Sequence, residues 1–142
     1  MSMLEKAIEV AAQAHMGQSA PDGKPYILHP LRVMLELQLP DEQIAAVLHD
    51  VVEKSEDWSI ERLRSEGFPA TVLDAVEALT KRPGEKFLDH VNRANRNKIG
   101  KFVKRADIED HIKYYPAGRN TREYPSALTI LSSDVESATE EY

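Results

Sequence analysis

Apolar residues recur every three or four positions along most of the chain, and this spacing constrains the fold more than any other feature. Leu4, Ile8 and Ala11 share one face of a first helix, and Ile44 and Leu48 share one face of a later one. Alternating runs bounded by hairpin turns, which would indicate strands, do not occur in the sequence. The pattern predicts an all-α bundle of about seven to eight helices.

Prolines and capping residues predict where these helices begin and end. Pro30 suits the first position of a second helix over Leu31–Leu37, which Pro40 ends, and Asp41 then caps a third helix that carries the pair His49-Asp50. The remaining helices are expected over 59–66 with Ser59 as cap, over 72–79, around 87–91, over 98–114 and over 124–136.

Length and composition are those of an ordinary folded domain. The chain has 142 residues, 42% of them hydrophobic and 30% charged, which favours one domain over 1–142 that ends in a helix and polar tail over 120–142. No apolar run approaches the length needed to cross a bilayer, and the N-terminus lacks an export signal. We therefore expect a cytoplasmic protein without a membrane partner.

Cysteine content and charge exclude several kinds of chemistry. The sequence has no cysteine, so a metal would have to be held by His, Asp or Glu side chains. The formal net charge of -6 disfavours a nucleic-acid partner, because such binding requires a dense basic surface. Six cations nevertheless fall between Val91 and Ala106 without an acid among them, either as a solvated helix face or as a patch that faces a polyanion.

A carboxylate on an apolar helix face is the first indication of a metal site. Asp107 follows Val103 by four residues on the inward face of its helix, and a buried carboxylate is costly unless a cation lies beside it. The adjacent pair His49-Asp50 and His29, next to a helix-opening proline, are further side chains able to bind a metal. Taken alone, a His-Asp pair is more often structural.

Five ordered segments resemble the HD hydrolase domain of RelA/SpoT-type proteins over roughly residues 4–112. The segments are His15-Met16-Gly17-Gln18, the stretch from Gly23 to Pro30, the stretch from Ala45 to Glu53, Leu79-Thr80-Lys81-Arg82 and Val103-Lys104-Arg105-Ala106-Asp107. The small stand-alone hydrolases of that superfamily, with the metazoan SpoT homologue among them, are the most similar group. The resemblance implies an all-α HD fold and 3′-pyrophosphohydrolase activity on the nucleotide (p)ppGpp.

The same resemblance implies a metal centre. His29, His49, Asp50 and Asp107 would bind one divalent ion, usually Mn²⁺ in this family. Two imidazoles and two carboxylates are also compatible with Fe²⁺ or Zn²⁺. Such an ion can polarise a phosphoryl group and acidify water for hydrolysis.

The catalytic pair departs from the family pattern. Glu53 matches the first acid of a Glu-Asp pair that orients the attacking water, but Lys54 stands where the second acid is expected. Lysine is a poor proton acceptor unless burial lowers its pKa strongly. Either Glu53 suffices while Lys54 holds a phosphate, or the domain binds a nucleotide without efficient turnover.

Substrate-binding residues depart from the pattern as well. Ala20 and Pro21 replace a basic pair that contacts the guanine base, and His111 replaces an asparagine that meets the ribose. These departures keep another nucleotide or a dinucleotide open as the substrate. The candidate substrate-binding residues are Lys24, Tyr26, Lys104 and His111. His15 is expected to be a core histidine close to the site, and His90 is expected to be a surface or structural residue.

Overall fold

The computed structural model describes residues 1–140, with side chains described for residues 1–132, and within this part of the chain the regular elements are helical. The helices are α1 Met3–Ala14, α2 Leu28–Leu35, α3 Pro40–Leu48, α4 Val51–Lys54, α5 Ile60–Ser65, α6 Ala70–Leu79, α7 Phe87–Asn95, α8 Gly100–Tyr114 and α9 Tyr124–Glu140, with a 3-10 turn at Thr121–Glu123. An isolated β-bridge joins Ser19 and Pro25. The predicted all-α class is confirmed, and residues 141–142 of the predicted tail lie outside the described residues.

Side-chain caps fix two helix starts. Ser2 Oγ accepts from the Glu5 backbone N–H at 3.1 Å while Glu5 Oε1 accepts from the Ser2 backbone N–H at 2.8 Å, which forms a capping box at α1. The predicted cap Ser59 accepts from the Arg62 backbone N–H at 3.1 Å at the start of α5.

Two predicted helix starts were wrong. Pro40 is the first residue of α3, so Asp41 lies inside the first turn. There its negative charge interacts favourably with the helix dipole, but its side chain does not cap the helix. Helix α2 begins at Leu28, so Pro30 is its third residue. Proline is tolerated there because the first backbone N–H groups of a helix have no partner within it. His29 therefore lies within the first turn of α2.

The predicted third helix is interrupted at the site. Helix α3 ends at Leu48, and Asp50, with φ -106° and ψ -2°, separates it from the short α4. His49 and Asp50 therefore do not lie within one continuous helix as the sequence predicted. The break turns the two adjacent side chains toward one point, which a regular helix would separate by about 100°.

Helix α3 is central and packs against α1, α2, α6 and α8. Its residues Val47 and Leu48 are buried in a core shared with α1, α5 and α6, whereas Ala45 and Ala46 belong to a second core with α2 and α8. A third core joins α7, α8 and α9. The end of α3 is consequently held from several sides, and this fixes the backbone that carries His49 and Asp50. No helix in the described part of the chain is both long and apolar enough to span a bilayer.

Candidate metal centre

The structure brings the four predicted metal ligands together. His29 Nε2 lies 2.9 Å from Asp107 Oδ1 and 3.7 Å from Asp50 Oδ2. His49 Nε2 lies 3.1 Å from Asp50 Oδ2 and 3.4 Å from Asp107 Oδ1. Both histidines are buried, and the carboxylates are nearly so. Residues from α2, from the α3–α4 break and from α8 therefore meet at one buried point.

The hydrogen bonding of His49 suits metal binding through Nε2. His49 Nδ1 donates to the Ala46 carbonyl oxygen at 2.6 Å, and His49 Nε2 is buried without a hydrogen-bond partner. Burial opposes protonation of His49, but the charges of Asp50 and Asp107 outweigh it and raise its pKa well above the ordinary value. The two carboxylates thus favour a positive charge beside the buried His49 Nε2. A bound divalent cation can supply this charge in place of a proton.

The donor set fits a divalent ion. Atoms that bind one ion at about 2.1 Å lie roughly 3 Å apart when adjacent and roughly 4 Å apart when opposite. The donor atoms of His29, His49 and Asp50 lie within 4.8 Å of one another, as do those of His29, Asp107 and His111. Imidazole and carboxylate ligands of this kind are compatible with Mn²⁺, Fe²⁺ or Zn²⁺.

A partly buried ion pair behind His29 was missed by the sequence analysis. His29 Nδ1 lies 2.6 Å from Asp110 Oδ2, and Arg32 donates to both Asp110 oxygens at 2.8 and 2.9 Å. Arg32 also donates to the Tyr115 hydroxyl at 2.8 Å. Burial opposes ionisation of Asp110, but the hydrogen bonds from His29 and Arg32 lower its pKa. Asp110 can therefore hold the Nδ1 proton of His29 and leave Nε2 to bind a metal.

Helical spacing could have indicated the pair of Arg32 and Asp110. Arg32 follows His29 by three residues and Asp110 follows Asp107 by three, so each lies on the same helix face as a predicted ligand. The signal becomes specific only when α2 is known to pack on α8.

Tyr26 is directly linked to the ligand set. Its hydroxyl donates to Asp50 Oδ2 at 2.5 Å, and its ring lies 4.9 Å from the His15 ring. Burial and the charge of Asp50 raise the pKa of Tyr26, which keeps the hydroxyl protonated. His15 is buried as predicted, and its Nδ1 lies 2.9 Å from Gln18 Oε1. Tyr26 thus holds the carboxylate of Asp50, and because it also lines the cavity described below, its contact with a substrate stays a prediction.

Lys54, the departure from the family pair, is exposed and lies over Tyr26. Its Nζ is 5.6 Å from the Tyr26 ring centroid, and its backbone carbonyl accepts from Gln18 Nε2 at 2.8 Å. The neighbouring Glu53 is also exposed and accepts from the Lys81 backbone N–H at 3.1 Å. Both side chains line the cavity beside the predicted ligands.

This cavity has a volume of about 680 Å³ and contains Asp50 and Asp107 in its wall. Five cations line it: Lys54, Lys81, Lys86, Lys104 and Arg119. Lys104 is almost buried, and its Nζ lies 3.1 Å from Asp107 Oδ2. Burial opposes ionisation of Asp107, but Lys104 and His49 lower its pKa well below the ordinary value. Five carboxylates line the same cavity, so an anionic substrate would be bound by individual cations beside the candidate metal ligands and not by a uniformly positive wall.

The other predicted substrate-binding residues differ in whether they line the cavity. His111 lines the cavity, with Nε2 3.4 Å from Asp107 Oδ1. Lys24 is exposed in the loop before α2 and is not among the residues that line the cavity. Ala20, in the same loop, is buried. Of the six cations between Val91 and Ala106, Lys104 alone lines the cavity.

His90 was expected to be a surface or structural residue, and the structure does not place it at the surface. It is buried in the cavity wall, with Nδ1 3.6 Å from Glu85 Oε1 and 3.5 Å from an Arg93 nitrogen. Burial and the nearby Lys104 charge lower the pKa of His90 to about 3. The ring is therefore neutral near pH 7. Arg93 follows His90 by three residues on one face of α7, whereas Glu85 reaches the ring from the turn before this helix.

A comparison with known families agrees with this geometry. The profile described as HD domain matches residues 7–106, which is more than half of the chain. The chain belongs to the HD domain family.

Named relatives match part of this chain. A guanosine-3′,5′-bis(diphosphate) 3′-pyrophosphohydrolase of Vibrio cholerae is 38% identical over 90 residues, which cover 61% of this chain and 12% of the relative. A GTP pyrophosphokinase of Streptomyces coelicolor is 38% identical over 91 residues, which cover 61% and 10%. The chain thus spans about a tenth of the length of the curated relatives it matches.

A solved structure extends the fold comparison to nearly the whole chain. It is described as a metazoan ortholog of SpoT that hydrolyzes ppGpp, and it superposes with a TM-score of 0.73 at 20% identity. The match covers 94% of this chain and 85% of that one. At this identity the match supports the fold of the HD domain.

Proposed function

We propose that this HD domain is a metal-dependent phosphohydrolase that acts on a phosphorylated nucleotide, with (p)ppGpp as the substrate and its 3′-pyrophosphate as the leaving product. The observation that carries the proposal is the convergence of His29, His49, Asp50 and Asp107 in the wall of a cavity lined by cations. Relatives named as 3′-pyrophosphohydrolases support the choice of substrate.

Under this proposal the four residues hold one divalent ion, with Mn²⁺ as the first candidate. When bound, such an ion supplies Lewis acidity toward a phosphoryl group and makes water more acidic. The buried His49 Nε2 without a partner supports this assignment. Asp110 holds the His29 ring and Tyr26 holds Asp50, so the donor atoms are oriented before an ion arrives.

Glu53 is the proposed proton acceptor for the attacking water. It is exposed toward the cavity, and the Lys81 backbone N–H fixes one of its oxygens. A carboxylate that borders the ligand set can accept a proton from water that attacks phosphorus. We assign the other carboxylate oxygen of Glu53 as the proton acceptor.

Lys54 is proposed to bind a phosphate instead of acting as an acid or base. Its exposed ammonium group borders the cavity and lies above the Tyr26 ring. An ammonium group in such a place offers charge-assisted hydrogen bonds to phosphate oxygens. Lys104 approaches the same region from α8 and would neutralise a second phosphate oxygen. Lys24 lies outside the cavity, so we propose no phosphate contact for it in this state.

A second substrate class has a specific observation in its favour. Where the family pattern places a basic pair for guanine, Ala20 is buried and Pro21 carries no charge, so these two positions offer no cation to a base. Another phosphorylated nucleotide or a dinucleotide with the same phosphate chemistry would then be preferred.

A turnover screen separates these alternatives. The protein is stripped of metal, reloaded with Mn²⁺ and assayed for phosphate and pyrophosphate release from ppGpp, nucleoside triphosphates and dinucleotide cofactors. Pyrophosphate release with ppGpp among the best substrates supports the first proposal, and strong preference for another compound supports the second. Absence of turnover across the Mn²⁺ screen contradicts both and favours a nucleotide-binding module without catalysis.

A further inference from the structure

Three imidazole nitrogens surround one oxygen of Asp107. His29 Nε2 lies 2.9 Å from Asp107 Oδ1, His49 Nε2 lies 3.4 Å from it, and His111 Nε2 also lies 3.4 Å from it. His111 therefore stands at the same distance from this oxygen as His49, a predicted ligand.

His111 also lies close to other atoms that could bind the ion. The donor atoms of His29, Asp107 and His111 lie within 4.8 Å of one another, the same limit that holds for His29, His49 and Asp50. Two ligands of one ion at about 2.1 Å cannot lie much more than 4 Å apart, so binding by all five requires these two groups, which share His29, to close around one ion. An ordinary ion pair with Asp107 does not require proximity to His29 as well.

The location of His111 on its helix also suits a ligand. It follows Asp107 by four residues in α8, and side chains with this spacing project from one helix face. Helical His pairs with this same spacing bind zinc in metalloproteases. The ring is packed edge-on against His29 at 4.9 Å and against Tyr115 at 5.3 Å, which limits its rotation. Its side chain remains 33% exposed and borders the cavity.

We infer that His111 is a fifth protein ligand, so that three imidazoles and two carboxylates hold the ion. This inference rests on the proposed metal centre but not on the proposed substrate. It replaces the sequence-based expectation that His111 contacts a ribose.

The extra imidazole changes which metals the site prefers. Imidazole nitrogen favours borderline ions such as Fe²⁺, Co²⁺ and Zn²⁺, whereas Mn²⁺ is better matched by oxygen ligands. A site with three imidazoles should therefore select Co²⁺ or Zn²⁺ over Mn²⁺ more strongly than a site with two. Replacement of His111 should reduce that selectivity as well as the affinity.

Cobalt titration of the full chain tests the assignment without an enzyme assay. Wild type, His111→Asn and His111→Phe are stripped of metal and titrated with Co²⁺, and then with Mn²⁺. His111→Asn restores the residue expected from the family pattern, and His111→Phe keeps the ring packing without a nitrogen. Tyr124→Phe serves as the matched control, because Tyr124 lies near His111 at a ring distance of 6.4 Å but offers no imidazole.

The expected result is a Co²⁺ affinity about 10- to 100-fold lower in both His111 variants, with a smaller loss for Mn²⁺. The Co²⁺ form of wild type should show paramagnetically shifted proton signals from three imidazole rings, and that of each variant from two. Unchanged affinity and unchanged shifted signals in both variants would overturn the inference. Thermal unfolding of each metal-free variant separates loss of a ligand from loss of folding.

The outcomes also separate this inference from the proposed function. Co²⁺ binding that depends on His111, in a protein that hydrolyses no nucleotide, would contradict the proposed function and support the ligand assignment. Absence of Co²⁺ binding by wild type would overturn the metal centre and this assignment together.

Discussion

The imidazole of His29 is held on one side by Asp110, with 2.6 Å between Nδ1 and Oδ2, while its Nε2 lies 2.9 Å from Asp107 Oδ1 on the other side. Arg32 binds both oxygens of Asp110 and so fixes the carboxylate that fixes the ring. The orientation of a predicted metal ligand therefore depends on a partly buried ion pair that does not itself belong to the ligand set.

The first prediction concerns this support. Asp110→Asn removes the charge that holds the His29 Nδ1 proton and leaves Arg32 without its bidentate partner, so metal affinity should fall about 10- to 100-fold. Competition titration with a chelator measures the change. Glu109→Gln is the matched control, because Glu109 is an exposed neighbour that pairs with Arg105. Equal affinities of wild type and Asp110→Asn would contradict the positioning role.

The second prediction concerns Lys54. Lys54→Asp restores the acid of the family pattern but removes the proposed phosphate contact, so kcat/KM should fall about 10- to 100-fold, in line with the loss of one charge-assisted hydrogen bond. Steady-state kinetics with the best substrate of the screen measures the effect. Lys113→Asp makes the same charge change at an exposed site outside the cavity and should leave kcat/KM within about twofold.

A gain of activity in Lys54→Asp would reverse the interpretation of this residue. If the wild-type chain hydrolyses no nucleotide and Lys54→Asp creates activity, the chain is a degenerate nucleotide-binding module that lacks its second acid.

The third prediction concerns the turn between α6 and α7, which forms part of the cavity wall. Arg93 donates to both Glu85 oxygens at 2.9 Å and to the Thr80 carbonyl at 2.7 Å. Arg93→Met leaves Glu85 and that carbonyl without their donor, so the free energy of unfolding should fall by about 2–4 kcal/mol. Urea denaturation measures it. Arg96→Met, an exposed change in the same segment, should cost less than about 0.5 kcal/mol. Equal midpoints for the two variants would contradict the role of Arg93.

The fourth prediction is a dependence of stability on pH from the same pair. The hydrogen bonds from Arg93 lower the pKa of Glu85 from 4.5 to about 2. The folded state therefore holds the Glu85 proton more weakly than the unfolded state does, and protonation favours unfolding. The stability that Glu85 provides should be complete above pH 4.5 and should disappear as the pH falls through about 2.

The difference in unfolding free energy between wild type and Glu85→Gln measures this contribution. It should be constant near neutral pH and should shrink between pH 4.5 and 2. Glu61→Gln, which alters an exposed ion pair with Arg64, is the matched control. A difference that does not vary with pH would mean that the Glu85 pKa is the same in the folded and unfolded states.

The fold and the convergence of the four candidate metal ligands were largely predictable from the sequence for physical reasons. Helical spacing determines the helices because each must bury one apolar stripe, and Asp107 on such a stripe requires a cation. The segments that resemble the HD family contain the residues that the structure brings together.

Other features depend on tertiary packing and could not be predicted. The break after Leu48 occurs where several helices crowd the end of α3, and no proline or glycine marks it. Asp110 looked like an ordinary charged residue because its partners His29 and Arg32 are about eighty residues away in sequence. His90 was expected at the surface or in a structural position, and it occupies a buried, structural one.

The most direct test of the central claim is the metal dependence of pyrophosphate release from ppGpp by wild type and by His49→Gln, which removes the buried nitrogen without a partner. The proposed mechanism predicts that wild type is inactive after metal removal and active again with Mn²⁺, and that His49→Gln stays at least about 100-fold slower at saturating Mn²⁺. Equal release by both proteins, or undiminished release by metal-free wild type, would contradict it.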